Sequence, residues 1–130
     1  MKTHIDGSLP ENGEIFVFGS NLAGKHGRGA AYAAYKAFGA KYGHAHGLCG
    51  QSWGIPTKDE HIHIMEIEQI VPFIEDFIEF VLFRDDLQFF MTRVGCGLAR
   101  YNDEDIAPLF KRLAKAENIS WPEEWKKYLL

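Results

Sequence analysis

The chain has 130 residues, 46% hydrophobic and 25% charged, with 14 basic and 18 acidic side chains for a formal net charge of −4. That size and balance suit one globular domain over residues 1–130, and they argue against a protein built mainly to grip a nucleic-acid backbone, which needs a basic face. No apolar run approaches the ~20 residues that cross a bilayer, and the first residues carry no apolar leader core. Two cysteines, Cys49 and Cys96, are too few for a disulfide framework, so the expectation is a cytoplasmic chain with reduced thiols and no membrane partner.

Residues 14–19, Glu-Ile-Phe-Val-Phe-Gly, are aromatic and β-branched between glycines, which predicts a buried, central strand. From Gly29 the composition turns to helix formers with Ala30, Ala31, Ala33, Ala34, Ala37 and Phe38, and Gly39 stands where a helix ends. Residues 53–57 predict a short strand that Pro56 would confine to a sheet edge or a strand end, with 61–65 continuing it after a bend. Ile67, Ile70, Val71, Ile74, Phe77, Ile78, Val81 and Leu82 recur at steps of three and four, the strongest helical pattern in the chain.

Residues 87–92 read as a second buried strand and 103–117 as a last helix with Ile106, Leu109, Phe110 and Leu113 inward. Residues 121–125 read as a C-terminal helical cap, because Pro122 suits a first turn and two tryptophans need burial. Strands alternating with helices imply a layered α/β fold, in which ligands bind beyond the carboxyl ends of the strands.

Two glycine-rich segments leave such strand ends. Residues 19–31, Gly-Ser-Asn-Leu-Ala-Gly-Lys-His-Gly-Arg-Gly-Ala-Ala, join the first strand to a helix. Without Cβ atoms the backbone can approach a phosphate, while the helix start offers unpaired N–H donors and the positive end of its dipole. The run lacks both a dinucleotide fingerprint and the Gly-Lys-Ser/Thr ending of a P-loop. Residues 93–101, Arg-Val-Gly-Cys-Gly-Leu-Ala-Arg-Tyr, repeat the logic after a later strand. Two such loops can hold one diphosphate from both sides; the alternative is a pair of tight turns.

Three blocks, residues 26–31 (His-Gly-Arg-Gly-Ala-Ala), 55–58 (Ile-Pro-Thr-Lys) and 93–98 (Arg-Val-Gly-Cys-Gly-Leu), resemble in order those of the macrodomains. The likeness is strongest to the branch containing the terminal ADP-ribose glycohydrolase and its bacterial and phage relatives, and runs from about Ile15 to Phe110. It implies a three-layer fold, a mixed sheet flanked by helices, with an ADP-ribose-like nucleotide across the strand ends. By that resemblance Ser20 and Asn21 approach the distal ribose and Gly27, Arg28 and Gly29 meet the diphosphate; Gly19 and Ala30 belong to the same first-loop binding set, as does His26 unless it packs beneath the loop. Thr57 and Lys58 border the same site, and Gly95, Cys96, Gly97, Leu98, Ala99, Arg100 and Tyr101 close over the other side.

Lys58 matches the lysine that attacks the ribose C1″ carbon in that branch, a role requiring a partly neutral amine. Relatives acting by this route carry an aspartate directly after Gly-Cys-Gly-Leu, where this chain has Ala99. Asp59 and Asp103 are the available substitutes, each also suited to a turn or helix cap.

His44 with His46, and His61 with His63, could pair as metal ligands on alternate strand positions, but no ligand frame accompanies them and no metal is expected. Phe16, Phe18, Phe73, Phe77, Phe89 and Phe90 follow core patterns, whereas Tyr32, Tyr35, Tyr42, Trp53 and Tyr101 fall nearer the expected cleft, where one could stack on adenine. The first reading is a binder of ADP-ribose or a related NAD-derived nucleotide, needing no cofactor, whose partners include ADP-ribosylated protein or nucleic acid. The second is an ADP-ribosyl glycohydrolase using Lys58, and the third a structural or partner-binding domain with a degenerate cleft. Oligomeric state is not legible.

Overall fold

The computed structural model describes residues 1–11 and 13–130. Six strands form one mixed sheet: β1 (Lys2–His4), β2 (Ile15–Asn21), β3 (Gly47–Cys49), β4 (Ser52–Lys58), β5 (Phe89–Met91) and β6 (Ile119–Pro122). Their order is β1-β6-β5-β2-β4-β3, and every neighbouring pair is parallel except β3 with β4. The carboxyl ends of β1, β2, β4, β5 and β6 therefore share one edge. Four helices accompany the sheet: α1 (Gly29–Ala37), α2 (Ile67–Phe83), α3 (Asp103–Ile106) and α4 (Lys126–Leu129).

Alternation along β2 assigns its two faces. Ile15 and Val17 join a core with Ile70, Ile74, Phe77 and Ile78 of α2, while Phe16 and Phe18 join Ala31 and Ala34 of α1. Helices thus cover both faces of a mixed sheet, an α/β arrangement compatible with three layers. The small α1 face, alanine rather than leucine, brings that helix close to the sheet. Gly39 ends it with φ +81°, and the N–H groups of Phe38 and Ala40 both reach the Ala34 carbonyl, at 2.9 and 3.2 Å. Helix α2 starts in a capping box, in which the Glu66 side chain accepts the Gln69 N–H and the Gln69 side chain accepts the Glu66 N–H.

Several expectations need correction. The strand over residues 53–57 is internal, paired with β2 on one side and β3 on the other. Pro56 is tolerated there because β3 extends only to Gly54, and a register shift opens between Ser20 and Asn21 opposite it. Residues 61–65 fold back antiparallel through a Lys58–Ile64 bridge and a Met65 N–H to Thr57 carbonyl bond of 2.9 Å.

Leu82 is 53% exposed and outside the α2 core stripe. The predicted helix over 103–117 is α3 followed by a 3₁₀ segment, Ala107–Leu113, because Pro108 has no N–H for a bond back to Glu104. Residues 119–122 are a strand rather than part of a cap, with Trp121 and Trp125 both fully buried. No described helix is long and apolar enough to cross a membrane.

Candidate functional site

A cleft of about 730 Å³ opens at the carboxyl ends of the parallel strands. Both glycine segments enter it because β2 and β5 are adjacent and parallel, which sends the loops after them to the same edge. The loops touch: a Cβ on Gly19 would lie 3.4 Å from the Gly95 nitrogen, and one on Gly29 would lie 3.6 Å from Leu98 Cδ1. Gly29 begins α1 with φ +57°, a conformation that disfavours side chains. Arg28, the residue before it, makes no side-chain cap, and no acidic residue occupies the first turn. The leading N–H groups of α1 therefore have no side-chain acceptor, and Gly29, Ala30 and Ala31 line the cleft.

Of the residues singled out in the sequence, Gly19, Ser20, Asn21, Gly27, Arg28, Gly29 and Ala30 line this cleft from the first loop. Thr57 and Lys58 line it from the end of β4, and Gly95, Gly97, Leu98 and Ala99 from the second loop. The Ser20 hydroxyl is spent on the Ala45 carbonyl at 2.5 Å, and the Asn21 amide bonds both the N–H and the carbonyl of Lys25 at 3.0 and 2.8 Å. Their side chains shape the loop.

The other candidates lie outside the lining. His26 is fully buried under the first loop, its Nε2 donating to the Lys41 carbonyl at 2.8 Å, so it fastens the loop from below. The Cys96 thiol turns toward the Val94 carbonyl at 3.6 Å; burial, and then the nearby Asp103 carboxylate, push its pKa up to about 12. Arg100 is exposed at φ 65°, and the Tyr101 hydroxyl donates to the Met65 carbonyl at 2.5 Å.

Asp59 closes the turn after β4 by accepting the N–H groups of His61 and His63 at 2.8 and 2.9 Å, which together with the histidine charges hold its carboxyl below the ordinary value. Asp103 is gripped by Arg93, through Nε and Nη2 at 2.8 Å each, and by Trp125 Nε1 at 2.8 Å. Burial alone would raise the Asp103 carboxyl, but these hydrogen bonds outweigh it and hold the group below its usual range. Neither aspartate borders the cleft where Lys58 does.

The stacking candidates are likewise elsewhere. Tyr32, Tyr35 and Tyr42 are exposed on the outer side, Trp53 packs among Phe77 and Phe80, and none of the five aromatic candidates lines the cleft. The aromatic floor comes from Phe16 and Phe90, assigned to the core by their strand pattern. They are both: buried under the sheet face yet bordering the empty space at its edge.

Residues 4–9 supply a wall the sequence did not signal, with His4, Asp6, Gly7, Ser8 and Leu9 in the lining. Pairing of Lys2 with Ser120 carries this segment there, a contact no local pattern reveals. His4 Nε2 faces the Met91 carbonyl at 2.8 Å and must donate, so Nδ1 accepts from Ser120 Oγ at 2.7 Å. Burial lowers the His4 pKa, against smaller opposing effects of the Met91 bond and nearby carboxylates. The ring stacks on Phe90 with centroids 3.7 Å apart.

Among the described residues the cleft is lined by the cations Lys25, Arg28, Lys58 and Arg93 and by one carboxylate, Asp6. Arg93 is already paired with Asp103 and, at 3.3 Å, with Asp6. Lys25, Arg28 and Lys58 form no ion pair with any described residue. Such a cleft favours an anion. His46 faces Asp76 at 3.1 Å, and His61 and His63 are exposed beside Glu60 and Asp59; no cluster of three metal-ligating groups occurs among the described residues.

No protein-family model, curated protein or solved structure matches the chain.

Proposed function

We propose that this chain binds ADP-ribose or a closely related NAD-derived nucleotide in the cleft, as a macrodomain-like protein. The observation that carries the reading is the meeting of two glycine loops at adjacent parallel strand ends, around an uncapped helix start with unpaired cations nearby. Main-chain N–H groups at a helix start and along a glycine loop are suited to a diphosphate, and a parallel sheet edge is where α/β folds take such ligands. The volume is within the ~300–1,000 Å³ range of small-molecule sites. Phe16, Phe90 and Leu9 give one part of the lining the apolar surface that a base needs.

A second reading, hydrolysis of an ADP-ribosyl bond through Lys58, is favoured by that lysine's position in the cleft without an acidic partner. Its candidate proton carriers are engaged: Asp59 and Asp103 are committed elsewhere, the lining carboxylate Asp6 is paired with Arg93, His4 is tied to Met91 and Ser120, and Ala99 can neither give nor take a proton. Binding is therefore the stated function.

Titration calorimetry with ADP-ribose, NAD and cyclic ADP-ribose tests it. Saturable binding of ADP-ribose, weakened at least tenfold (about 1.4 kcal/mol) in a folded Gly29→Val protein, is the expected result. No heat of binding up to ~1 mM, corresponding to about −4.1 kcal/mol, would leave a degenerate cleft and the partner-binding reading.

A further inference from the structure

Charge is segregated along this chain in a way its net value hides. Residues 15–58 hold Lys25, Arg28, Lys36, Lys41 and Lys58 and no aspartate or glutamate, while the rest of the sequence carries nine basic and 18 acidic side chains. Lys25, Arg28 and Lys58 line the cleft, while Lys36 lies on α1 and Lys41 in the loop after it. The N-cap residue Arg28 and, within α1, Tyr32, Tyr35 and Lys36 are all exposed, Tyr32 standing four residues from both Arg28 and Lys36 and three from Tyr35, while Ala31 and Ala34 are buried.

Beside them, the loop after α1 packs on the first glycine loop. The Gly43 N–H donates to the Gly24 carbonyl at 2.9 Å, and His26 holds the Lys41 carbonyl at 2.8 Å. This seats Lys41 and Tyr42 next to the helix, where Tyr42 meets Tyr35 edge to face with centroids 4.8 Å apart. Tyr32, Tyr35 and Tyr42 are 47%, 43% and 53% exposed. Lys25, Arg28, Lys36 and Lys41 form no ion pair with any described residue.

We infer that this outer face of α1, with the adjoining loop at Lys41 and Tyr42, is a docking surface for single-stranded nucleic acid. Unpaired cations track a phosphate backbone, and exposed tyrosine rings offer faces on which unpaired bases stack. A duplex keeps its base faces covered, which is why the tyrosines select the single strand. An acidic protein partner would use the lysines but has no need of the ring faces. The surface reaches the cleft rim at Arg28 but is otherwise separate from it, and the inference does not depend on which nucleotide the cleft holds.

The test is fluorescence anisotropy with labelled oligo-dT longer than the roughly 4–16 nucleotides of a typical single-strand site. Affinity should fall steeply between about 50 and 200 mM salt, and Lys36→Ala with Lys41→Ala should flatten the log–log salt slope by about 0.7 per lysine removed. Tyr32→Ala and Tyr35→Ala should each weaken binding about tenfold with the salt slope unchanged, whereas Tyr32→Phe and Tyr35→Phe retain it. No binding at low salt overturns the inference. So does equal affinity for duplex DNA or for phosphatidylserine vesicles, or binding insensitive to the tyrosine-to-alanine changes.

ADP-ribose calorimetry on the same variants separates the two sites. The lysine and tyrosine variants leave nucleotide binding intact.

Discussion

Arg93 holds Asp103 in a two-pronged grip, Nε to Oδ1 and Nη2 to Oδ2 at 2.8 Å each, and the same Oδ1 accepts the Trp125 indole N–H at 2.8 Å. The second glycine loop is thereby tied to α3 and to the buried C-terminal tryptophan. Because its folded pKa is depressed, Asp103 contributes stability above its unfolded value, near 3.9, and that contribution is lost as pH falls through the folded value. The melting temperature should drop below about pH 4 in the wild type and respond less to pH in Asp103→Asn, which at neutral pH loses about 1–3 kcal/mol. Calorimetric scans from pH 3 to 7, approximately the range spanning these values, check this; parallel pH profiles for the two proteins would contradict it.

Cys96 should resist alkylation. With its thiol pushed up to about 12, almost no thiolate exists near neutral pH, whereas unfolding restores an ordinary cysteine. Iodoacetamide at pH 8 should label Cys49 first in the native protein and both cysteines in denaturant, read by peptide mass spectrometry. Faster native labelling at Cys96 would place that thiol in a different environment.

Ile62 occupies φ 65° at the cleft edge, an uncommon conformation for a β-branched residue, held by the Asp59 turn. Replacement by asparagine, which tolerates this region, should stabilise the fold by about 1 kcal/mol and raise the melting temperature by a few degrees. ADP-ribose affinity, measured in parallel, should fall if the isoleucine side chain contacts the bound nucleotide. A destabilised Ile62→Asn protein would mean that packing outweighs the backbone strain.

Turnover should be slow against ADP-ribosylated substrates, because Asp59 and Asp103 are held by other partners and the lining carboxylate Asp6 is paired with Arg93. Removing a general acid or base typically forfeits about 10²- to 10⁴-fold in rate. Ala99→Asp should recover part of it while ADP-ribose affinity changes little, and Lys58→Ala should abolish what it recovers. Product release followed by chromatography distinguishes this from a wild type already fast, which would require a proton donor among the other lining groups.

Elements whose cause is local were legible in the order of the residues. The apolar run of β2, the alanine stretch of α1 and the steps of three and four in α2 carry their periods in adjacent residues, and the two glycine loops were legible because glycine spacing acts on the backbone where it stands. Tertiary structure decided what depends on partners distant in the chain. Residues 4–9 wall the cleft only because Lys2 pairs with Ser120, β6 is a strand only because β1 and β5 flank it, and Asp103 is committed only because Arg93 and Trp125 converge on it. Phe16 and Phe90 follow the same rule: strand alternation gives each side chain a face, but which part of that face stays open at the sheet edge depends on how closely α1 packs against it.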